Sequence, residues 1–272
     1  SGGTVNFNGV LDNTNSVLDI GGGGIFGAGG LGSLGGTISH GAIKSSDSTL
    51  LSAASGTLDS VLVLGTLGLS GGAFVQNDLS LGNGATLNLG NGNLYFKSSG
   101  QQHITSGGAS TINLAGGAIY AGYSVSGQTL ELGSGVTLQG YGNLVESSAA
   151  TVINSGTIDA NTSGKTFNLD ATSFYNNGAL KASSGTLSLS PTNWNNSGTM
   201  AVAGSGDLKL NFDTTTAGLG TVSRSGGTVH FNGVLNNSAA TLDIGGSGIF
   251  GSGGLTGLGG TIKHGTLLSG DN

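Results

Sequence analysis

Three features of the sequence predict an all-β protein, specifically a right-handed parallel β-helix (β-solenoid) with about 20 residues per coil. Short segments that alternate polar and apolar residues occur along the chain, Gly, Asn and Ser separate them, and similar segments return at a spacing of about 20 residues. Alternation with a period of two is typical of a strand with one buried face, and the separating residues favour turns. The segments are too short for helices.

Two series of segments establish the short period. In the first series polar and apolar residues alternate over four positions, at 166–169, 186–189, 207–210 and 228–231. The second begins with asparagine, at 154–158, 176–180 and 196–200. Hairpins of an antiparallel sandwich also give short, evenly spaced strands. The solenoid is favoured because the same residue type returns at the same place in each coil, which predicts a hydrogen-bonded ladder of Asn154, Asn176 and Asn196.

A much longer repeat is superimposed on the short one. The segment SGGTVNFNGVLDN at Ser1 returns as SGGTVHFNGVLNN at Ser225, and 32 of the 47 positions from Ser1 to Asp47 are identical. We therefore expect one continuous solenoid over 1–272, with 1–224 as one long repeat and 225–272 as the start of the next, within a longer tandem array. The Gly-rich segment 21–36, which returns at 245–260, is predicted to add short coils.

The composition narrows the class of protein. Glycine accounts for 57 of 272 residues, charged residues for 7% and hydrophobic residues for 36%, with a net charge of −6. Disordered chains have fewer apolar residues and more net charge. The acidic balance argues against nucleic acid and anionic membranes, which require clustered Lys and Arg. No segment approaches the roughly 20 apolar residues of a membrane span, and the absence of cysteine is compatible with export.

The asparagine motif and the strand that follows it resemble the passenger regions of autotransporters and of filamentous-haemagglutinin-like adhesins. The motif residues are Asn-Ser-Gly-Thr-Ile at 154–158, followed by Thr-Phe-Asn-Leu at 166–169. The resemblance extends from about Gly56 to Asn272 and is clearest from Thr151 to Gly233. It implies export by a Gram-negative cell, display at the bacterial cell surface, and adhesion to host cells, sister cells or a biofilm matrix. Surface molecules, glycans among them, and homotypic association would then be the partners.

The same fold hosts polysaccharide lyases and hydrolases, so a carbohydrate-active β-helix is the alternative to an adhesin stalk. Glycoside hydrolysis needs two carboxyl groups about 5 to 9 Å apart. The chain contains two glutamates, Glu131 and Glu146, in different predicted coils. The closer acidic pairs, Asp159 with Asp170 and Asp207 with Asp213, have no basic partner that suggests a triad. We therefore predict no catalytic residues and no enzymatic activity.

The histidines and glycines do not form a recognisable metal or cofactor motif. His40 and His264 occupy the same position of the long repeat, so we expect them to be far apart. The nonapeptide that binds calcium in some β-helices requires Asp where this chain has Phe250. The Gly-rich segments are not followed by Gly-Lys-Ser or Gly-Lys-Thr, as a phosphate-binding loop requires. No metal and no cofactor is predicted.

Aromatic residues give the one candidate ligand site. Tyr120, Tyr123 and Tyr141 lie within a stretch about one coil long, and they are predicted to form a surface on which sugar rings stack. Trp194 is a separate candidate. The structural alternative places these side chains in solenoid turns or partly in the core, with their polar ends exposed to water.

Overall fold

A computed structural model describes residues 5–270. It confirms an all-β solenoid of parallel, stacked coils, with about 12 turns, about 22 residues per turn and almost no helix. The chain divides into two compact units, residues 1–138 with 146–150, and residues 139–145 with 151–272. The handedness of the coils stays a prediction.

The first unit contains thirteen strands and the ends of a fourteenth. They are β1 (Val5–Phe7), β2 (Val10–Asp12), β3 (Val17–Asp19), β4 (Leu31–Leu34), β5 (Thr37–Ser39), β6 (Ala42–Lys44), β7 (Leu50–Val63), β8 (Thr66–Leu81), β9 (Thr86–Gly90), β10 (Asn93–Phe96), β11 (Gln101–Ser106), β12 (Ser110–Ala121), β13 (Gln128–Leu132) and β14 (Val136–Glu146). Strands β1, β2 and β3 pair in parallel with β4, β5 and β6, and these three pair with successive parts of β7. Each coil therefore has three strand-bearing sides.

The second unit contains the middle of β14 and all later elements, apart from Ala150 at the start of β15. They are β15 (Ala150–Asn154), β16 (Thr157–Ala160), β17 (Thr166–Asp170), β18 (Ser173–Asn176), β19 (Ala179–Ala182), β20 (Thr186–Leu189), β21 (Asn193–Asn196), β22 (Thr199–Val202), β23 (Asp207–Leu210), β24 (Thr214–Thr215), α1 (Thr216–Leu219), β25 (Val222–Arg224), β26 (Thr228–Phe231), β27 (Val234–Asn236), β28 (Thr241–Asp243), β29 (Gly257–Leu258), β30 (Thr261–Lys263) and β31 (Thr266–Leu268). Strands β17, β20, β23 and β26 pair successively in parallel and confirm the predicted alignment of the first series of segments.

Alternation along these strands builds the core. Phe167, Leu187, Leu208 and Val229 occupy the same register position on four successive coils, and all four side chains are buried. Each contacts the residue of the coil before and after it, so the interior is a set of apolar columns. Burying one such side chain contributes about 1.5 to 3 kcal/mol, and the gain is repeated in every coil.

The predicted asparagine ladder is confirmed. Asn154 Nδ2 donates to Asn176 Oδ1 at 2.8 Å, and Asn176 Nδ2 donates to Asn196 Oδ1 at 2.8 Å. Asn196 Nδ2 then donates to the carbonyl oxygen of Leu219, 3.2 Å away. Asn154 and Asn176 are fully buried. Asn154 Nδ2 and Asn176 Nδ2 also donate to the carbonyl oxygens of Ala179 and Thr199, the first residues of β19 and β22.

Coil length varies more than the sequence period predicts. Thr166 pairs with Thr186, close to the expected spacing, whereas Thr86 pairs with Thr111, which makes that coil clearly longer. The coil that pairs Thr57 with Phe74 is shorter than both, because the long strands β7 and β8 bend there through irregularities of register instead of open turns. The average of about 22 residues per turn therefore combines short, strand-rich coils with coils that carry longer turns.

The sequence predicted that the Gly-rich segment 21–36 adds short coils, and this prediction is wrong. Residues 21–30 form a single turn-rich loop, and a strand, β4, follows it. Gly21–Gly30 of the first copy, here called the first Gly loop, makes three consecutive turns closed by backbone bonds from Gly24, Gly27 and Gly30. Its chain then enters β4 of the next coil. A β-strand is disfavoured because so many glycines provide no side chains to pack on neighbouring coils.

Two aspartates, Asp19 at the end of β3 and Asp47 on the following coil, hold the first Gly loop in place. Asp19 accepts hydrogen bonds from the backbone N–H groups of Gly21 and Ser46. Asp47 accepts from the Thr49 hydroxyl at 2.6 Å and from the N–H of Gly22 at 2.7 Å. These bonds lower the pKa of Asp47 to about 2, with the Thr49 hydroxyl as the largest cause.

We expect the attachment of the first Gly loop to weaken as the pH falls from about 4 to about 2. A depressed folded-state pKa stabilises the folded state above the unfolded value, near 3.8, and the effect is lost as pH falls through the folded pKa. Two-dimensional NMR titration should show Asp47 protonating near pH 2, with the Gly22 amide shifting in parallel. Thr49→Val should raise the pKa of Asp47 toward 3.8. An unchanged midpoint in that variant would contradict the assigned cause.

Candidate functional site

An aromatic cluster lies on the outward side of the first unit. Phe74, Tyr95 and Tyr120 occupy the same register position on β8, β10 and β12, so their rings follow one another from coil to coil. The rings of Tyr95 and Tyr120 stack at 4.8 Å between centroids with an interplanar angle of 14°. The Phe74 ring is tilted against Tyr95 at 5.8 Å. All three side chains are half-buried.

Tyr123 joins this aromatic cluster from the turn that follows β12. Its ring lies 4.8 Å from that of Tyr95 and 5.5 Å from that of Phe74. The chain reverses at Gly122, whose φ of 64° favours glycine, and the Tyr123 N–H donates to the carbonyl oxygen of Phe96. The turn therefore places Tyr123 over the two preceding coils.

Gln128 fixes the position of that turn. Its side chain is fully buried, accepts a hydrogen bond from the Gly122 N–H at 2.6 Å, and donates to the carbonyl oxygens of Phe96 and Ser98. A buried amide that satisfies three backbone groups ties the turn to the coil beneath it. The sequence contained no signal for this role. Gln128 is the first residue of a strand, a position that threonine occupies in many other coils.

Lys97 adds a positive charge to the cluster. Its Nζ atom lies 4.7 Å from the centroid of the Phe74 ring and donates to Thr57 Oγ1 at 3.1 Å. Asn93 Nδ2 donates to the Tyr95 hydroxyl at 3.2 Å. Since Tyr95 and Tyr120 stack on each other, one face of each ring is covered. A ligand would meet uncovered faces, ring edges and the polar groups of Tyr95 and Lys97.

The predicted sugar-stacking residues are thus only partly brought together. Tyr120 and Tyr123 both contact Tyr95, a residue that was not among the predicted site residues. Tyr141 belongs to the second unit, where Lys165 Nζ lies 5.4 Å from its ring centroid. Phe74 and Tyr95 were missed because the column is unevenly spaced along the chain: the step from Tyr95 to Tyr120 is longer than the short period.

Trp194 packs largely inside the second unit. Its ring stacks between Phe174, at 5.9 Å, and Phe212, at 4.5 Å, and its indole N–H donates to the carbonyl oxygen of Gly218. Helix α1, a single turn, contacts β21 and contributes this carbonyl. Both faces of the Trp194 ring are covered, in agreement with the structural alternative that places this side chain partly in the core.

The carboxylates considered for catalysis mostly cap neighbouring backbone or hydroxyl groups. Asp159 accepts from the Ser183 hydroxyl, Asp213 from the Val234 N–H and Glu146 from the Ala150 N–H. Asp207 accepts from the Thr228 hydroxyl and lies 3.4 Å from His230 Nε2. Turn-capping is the ordinary role of such residues.

One histidine lies between two carboxylates on adjacent coils of the first unit. His103 Nδ1 is 3.1 Å from Asp78 Oδ1, and His103 Nε2 is 4.0 Å from Glu131 Oε2. His40 Nδ1 lies 3.5 Å from Asp12 Oδ1, and both His40 and His264 are exposed. Within residues 5–270, no group of three or more His, Cys, Asp or Glu side chains is arranged to hold a metal ion.

Two surface clefts of the first unit lie away from the aromatic cluster. One of about 520 Å³ is lined by Val17, Ile25 and Lys44, and another of about 510 Å³ by residues around His40. In the part of the chain that is described, no helix is both long and apolar enough to cross a bilayer. No family model matches the chain, and neither a curated protein nor a solved structure is significantly similar to it.

Proposed function

We propose that the chain is a structural repeat, a stalk segment, of a large bacterial adhesin that acts outside the cell at its surface. The duplication of the 224-residue unit carries the proposal. The two copies share 32 of 47 residues over the part that is present twice, and strands β2, β3, β5 and β6 recur as β27, β28, β30 and β31. Repeated copies of a solenoid add length, whereas a catalytic groove gains little from being copied.

Copy number would then determine how far an adhesin reaches. At about 4.8 Å per coil and about 22 residues per turn, one 224-residue copy adds about 50 Å. A flexible chain of equal length spans about 80 Å on average, but this span grows only with the square root of the residue number. Stacked coils extend further than a flexible linker once about three copies are present. Attachment to host cells, sister cells or matrix is the use that we propose for this reach.

The stalk function can be tested with arrays of one, two and four copies. Each array is placed between an outer-membrane anchor and a small domain that binds a known ligand, and the distance of that domain from the membrane is measured. We expect increments of about 50 Å per copy and, at four copies, better adhesion through a capsule layer than with a Gly/Ser linker of equal length. A reach that rises only as the square root of copy number, like the linker's, would refute a stalk.

The outward aromatic cluster favours a second function, carbohydrate binding by the same repeat. Aromatic side chains supply apolar area together with hydroxyl groups, which suits the two kinds of surface on a sugar ring. Lys97 favours a glycan that carries a carboxylate or sulfate group. The cluster lies on the coil exterior, so binding there is compatible with the stalk function.

The double variant Tyr120→Ala with Tyr123→Ala is expected to weaken glycan binding by about tenfold or more, since each ring contact contributes about 0.5 to 1.5 kcal/mol. A glycan array of acidic and neutral oligosaccharides provides the measurement. Tyr175→Ala is the control, because Tyr175 is an exposed tyrosine of the second unit. Equal binding by the double variant and the control would refute a glycan-binding site at the aromatic cluster.

The enzyme alternative has its own test. Depolymerisation of a polysaccharide by the chain, lost in Asp159→Asn, would assign an enzyme instead.

A further inference from the structure

The Gly-rich loop occurs twice, and in the second unit it holds a strand of the preceding coil. This second Gly loop, Gly245–Gly254, accepts a hydrogen bond at the Ile249 carbonyl oxygen from the N–H of Val222, at 2.7 Å. The Ser252 hydroxyl donates to the carbonyl oxygen of Arg224 at 2.6 Å. Strand β25, Val222–Arg224, thereby binds to the loop through its backbone, as an extended peptide binds to the edge of a sheet.

Arg224 anchors this strand with its side chain. Its Nη1 donates to the carbonyl oxygen of Gly254 at 2.6 Å, Nε donates to that of Gly226 at 3.2 Å, and Nη2 donates to that of Gly227. Glycine makes the close approach feasible. A Cβ atom added to Gly251 would lie 2.5 Å from the Val222 carbonyl oxygen, and one added to Gly253 only 3.2 Å from Arg224 Cζ. The second Gly loop therefore forms a binding surface for a strand with the sequence aliphatic-x-arginine.

The first Gly loop makes the same series of turn hydrogen bonds as the second. Gly24, Gly27 and Gly30 donate to the carbonyl oxygens three residues earlier, at 3.0, 3.3 and 2.8 Å. The corresponding bonds of Gly248, Gly251 and Gly254 measure 3.0, 3.2 and 2.9 Å. Leu31 and Leu255 leave the two loops through equivalent bonds to Ile20 and Ile244. These turns are thus formed whether or not a strand lies on the loop.

In the first unit, no described residue lies where β25 lies in the second. A Cβ atom added to Gly27 would meet nothing within 4 Å, whereas at the equivalent Gly251 it would meet Val222. Ile25 is 76% exposed and Phe26 is half-buried, while Phe250 is fully buried. Two of the residues that cover the second Gly loop, Val222 and Arg224, therefore account for the difference between the copies.

A second contact from the preceding coil follows the same pattern. Thr216 Oγ1 donates to Asn237 Oδ1 at 2.8 Å, while Asn237 Nδ2 donates to Ala240 and Thr266 carbonyl oxygens. Asn13, the equivalent residue of the first copy, makes matching Nδ2 bonds to Ser16 and Ala42. Among residues 5–270 no donor reaches its Oδ1 atom. Asn13 Oδ1 is thus a second acceptor in the first copy. Its equivalent in the second copy, Asn237 Oδ1, accepts a hydrogen bond from Thr216.

We propose that the first Gly loop is a docking site for the Val222–Arg224 strand of a second copy of this repeat. The strand donates its valine N–H to the Ile25 carbonyl oxygen, covers Phe26, and directs its arginine to the Gly30 carbonyl oxygen. Ala28 replaces Ser252, so the hydroxyl bond to the arginine carbonyl is not made in the first copy. The proposal concerns how copies join and does not depend on what the array binds.

Hydrogen exchange in a chain extended at its N-terminus tests this docking. Residues 199–224 are placed before Ser1, which reproduces the sequence that precedes Ser225. We expect amide exchange in 25–30 to slow by at least tenfold, toward the rate of 249–254, which serves as the reference within the same molecule. Arg224→Ala in the extension should reverse most of this protection, because a charge-assisted bond to the loop is lost.

The control is Ser223→Ala in the extension, since Ser223 is exposed between the two docking residues. It should leave the protection of 25–30 unchanged. An extended chain whose first Gly loop exchanges as fast as in the parent would overturn the proposal, whether the extension is ordered elsewhere or disordered. Equal loss of protection in both variants would also overturn it, because docking would then not depend on the arginine.

Discussion

Replacing Asn176 with alanine is expected to destabilise the second unit by about 2 to 4 kcal/mol. The side chain is fully buried, accepts from Asn154 at 2.8 Å and donates to Asn196 at 2.8 Å. Truncation leaves the side-chain Oδ1 atom of Asn196 without its donor. It also leaves Asn154 Nδ2 with only a longer contact, 3.3 Å, to the carbonyl oxygen of Ala179. The desolvation of these buried polar groups is then no longer offset.

Fluorescence of Trp194 provides the measurement, because this single tryptophan lies on the same strand as Asn196. Urea unfolding followed at the indole should shift to a lower midpoint in Asn176→Ala. Asn195→Ala is the matched control, since Asn195 lies on that strand with its side chain exposed. Similar midpoints for the two variants would show that the ladder does not stabilise the coil.

The core and the ladder were predictable because both depend on local pattern. Alternation places Leu187, Leu208 and Val229 inside whatever the coil length, since the side-chain period of a strand is fixed. The ladder followed from the return of Asn-x-Gly at nearly constant spacing, in successive coils of almost equal length. Where spacing is constant, neighbours along the sequence period are also neighbours in space.

The aromatic cluster and the Gly loop were not predictable because they depend on turn length. Phe74, Tyr95 and Tyr120 share a register column only after turns of different length have been accommodated. The turn conformation that brings Tyr123 back is fixed by the buried Gln128, a tertiary contact between coils. In the Gly-rich segment, apolar residues suggested strands, yet glycine favoured consecutive turns that leave Ile25 exposed.

Replacing Gly198 with alanine is expected to destabilise the second unit by about 3 kcal/mol or more. Gly198 follows the ladder residue Asn196, and its N–H donates to the Asn176 carbonyl oxygen at 2.9 Å. An added Cβ atom would overlap the carbonyl oxygen of Gly178 and approach Asn176 Nδ2 to 2.8 Å. Both neighbours are held by hydrogen bonds of the coil stack, so neither can move without breaking them. This explains why glycine follows asparagine by two positions in each turn of the ladder.

Gly164→Ala distinguishes steric overlap from backbone strain. Gly164 has a φ of 68°, and an added Cβ atom would meet nothing within 4 Å. Alanine there should cost only about 1 to 2 kcal/mol, through the unfavourable backbone conformation. Gly198 lacks a positive φ, so its cost comes from contact between coils. Urea midpoints should therefore fall much further for Gly198→Ala than for Gly164→Ala. The reverse order would mean that the spacing between coils adapts to a methyl group, and that the ladder turns are not fixed by close stacking.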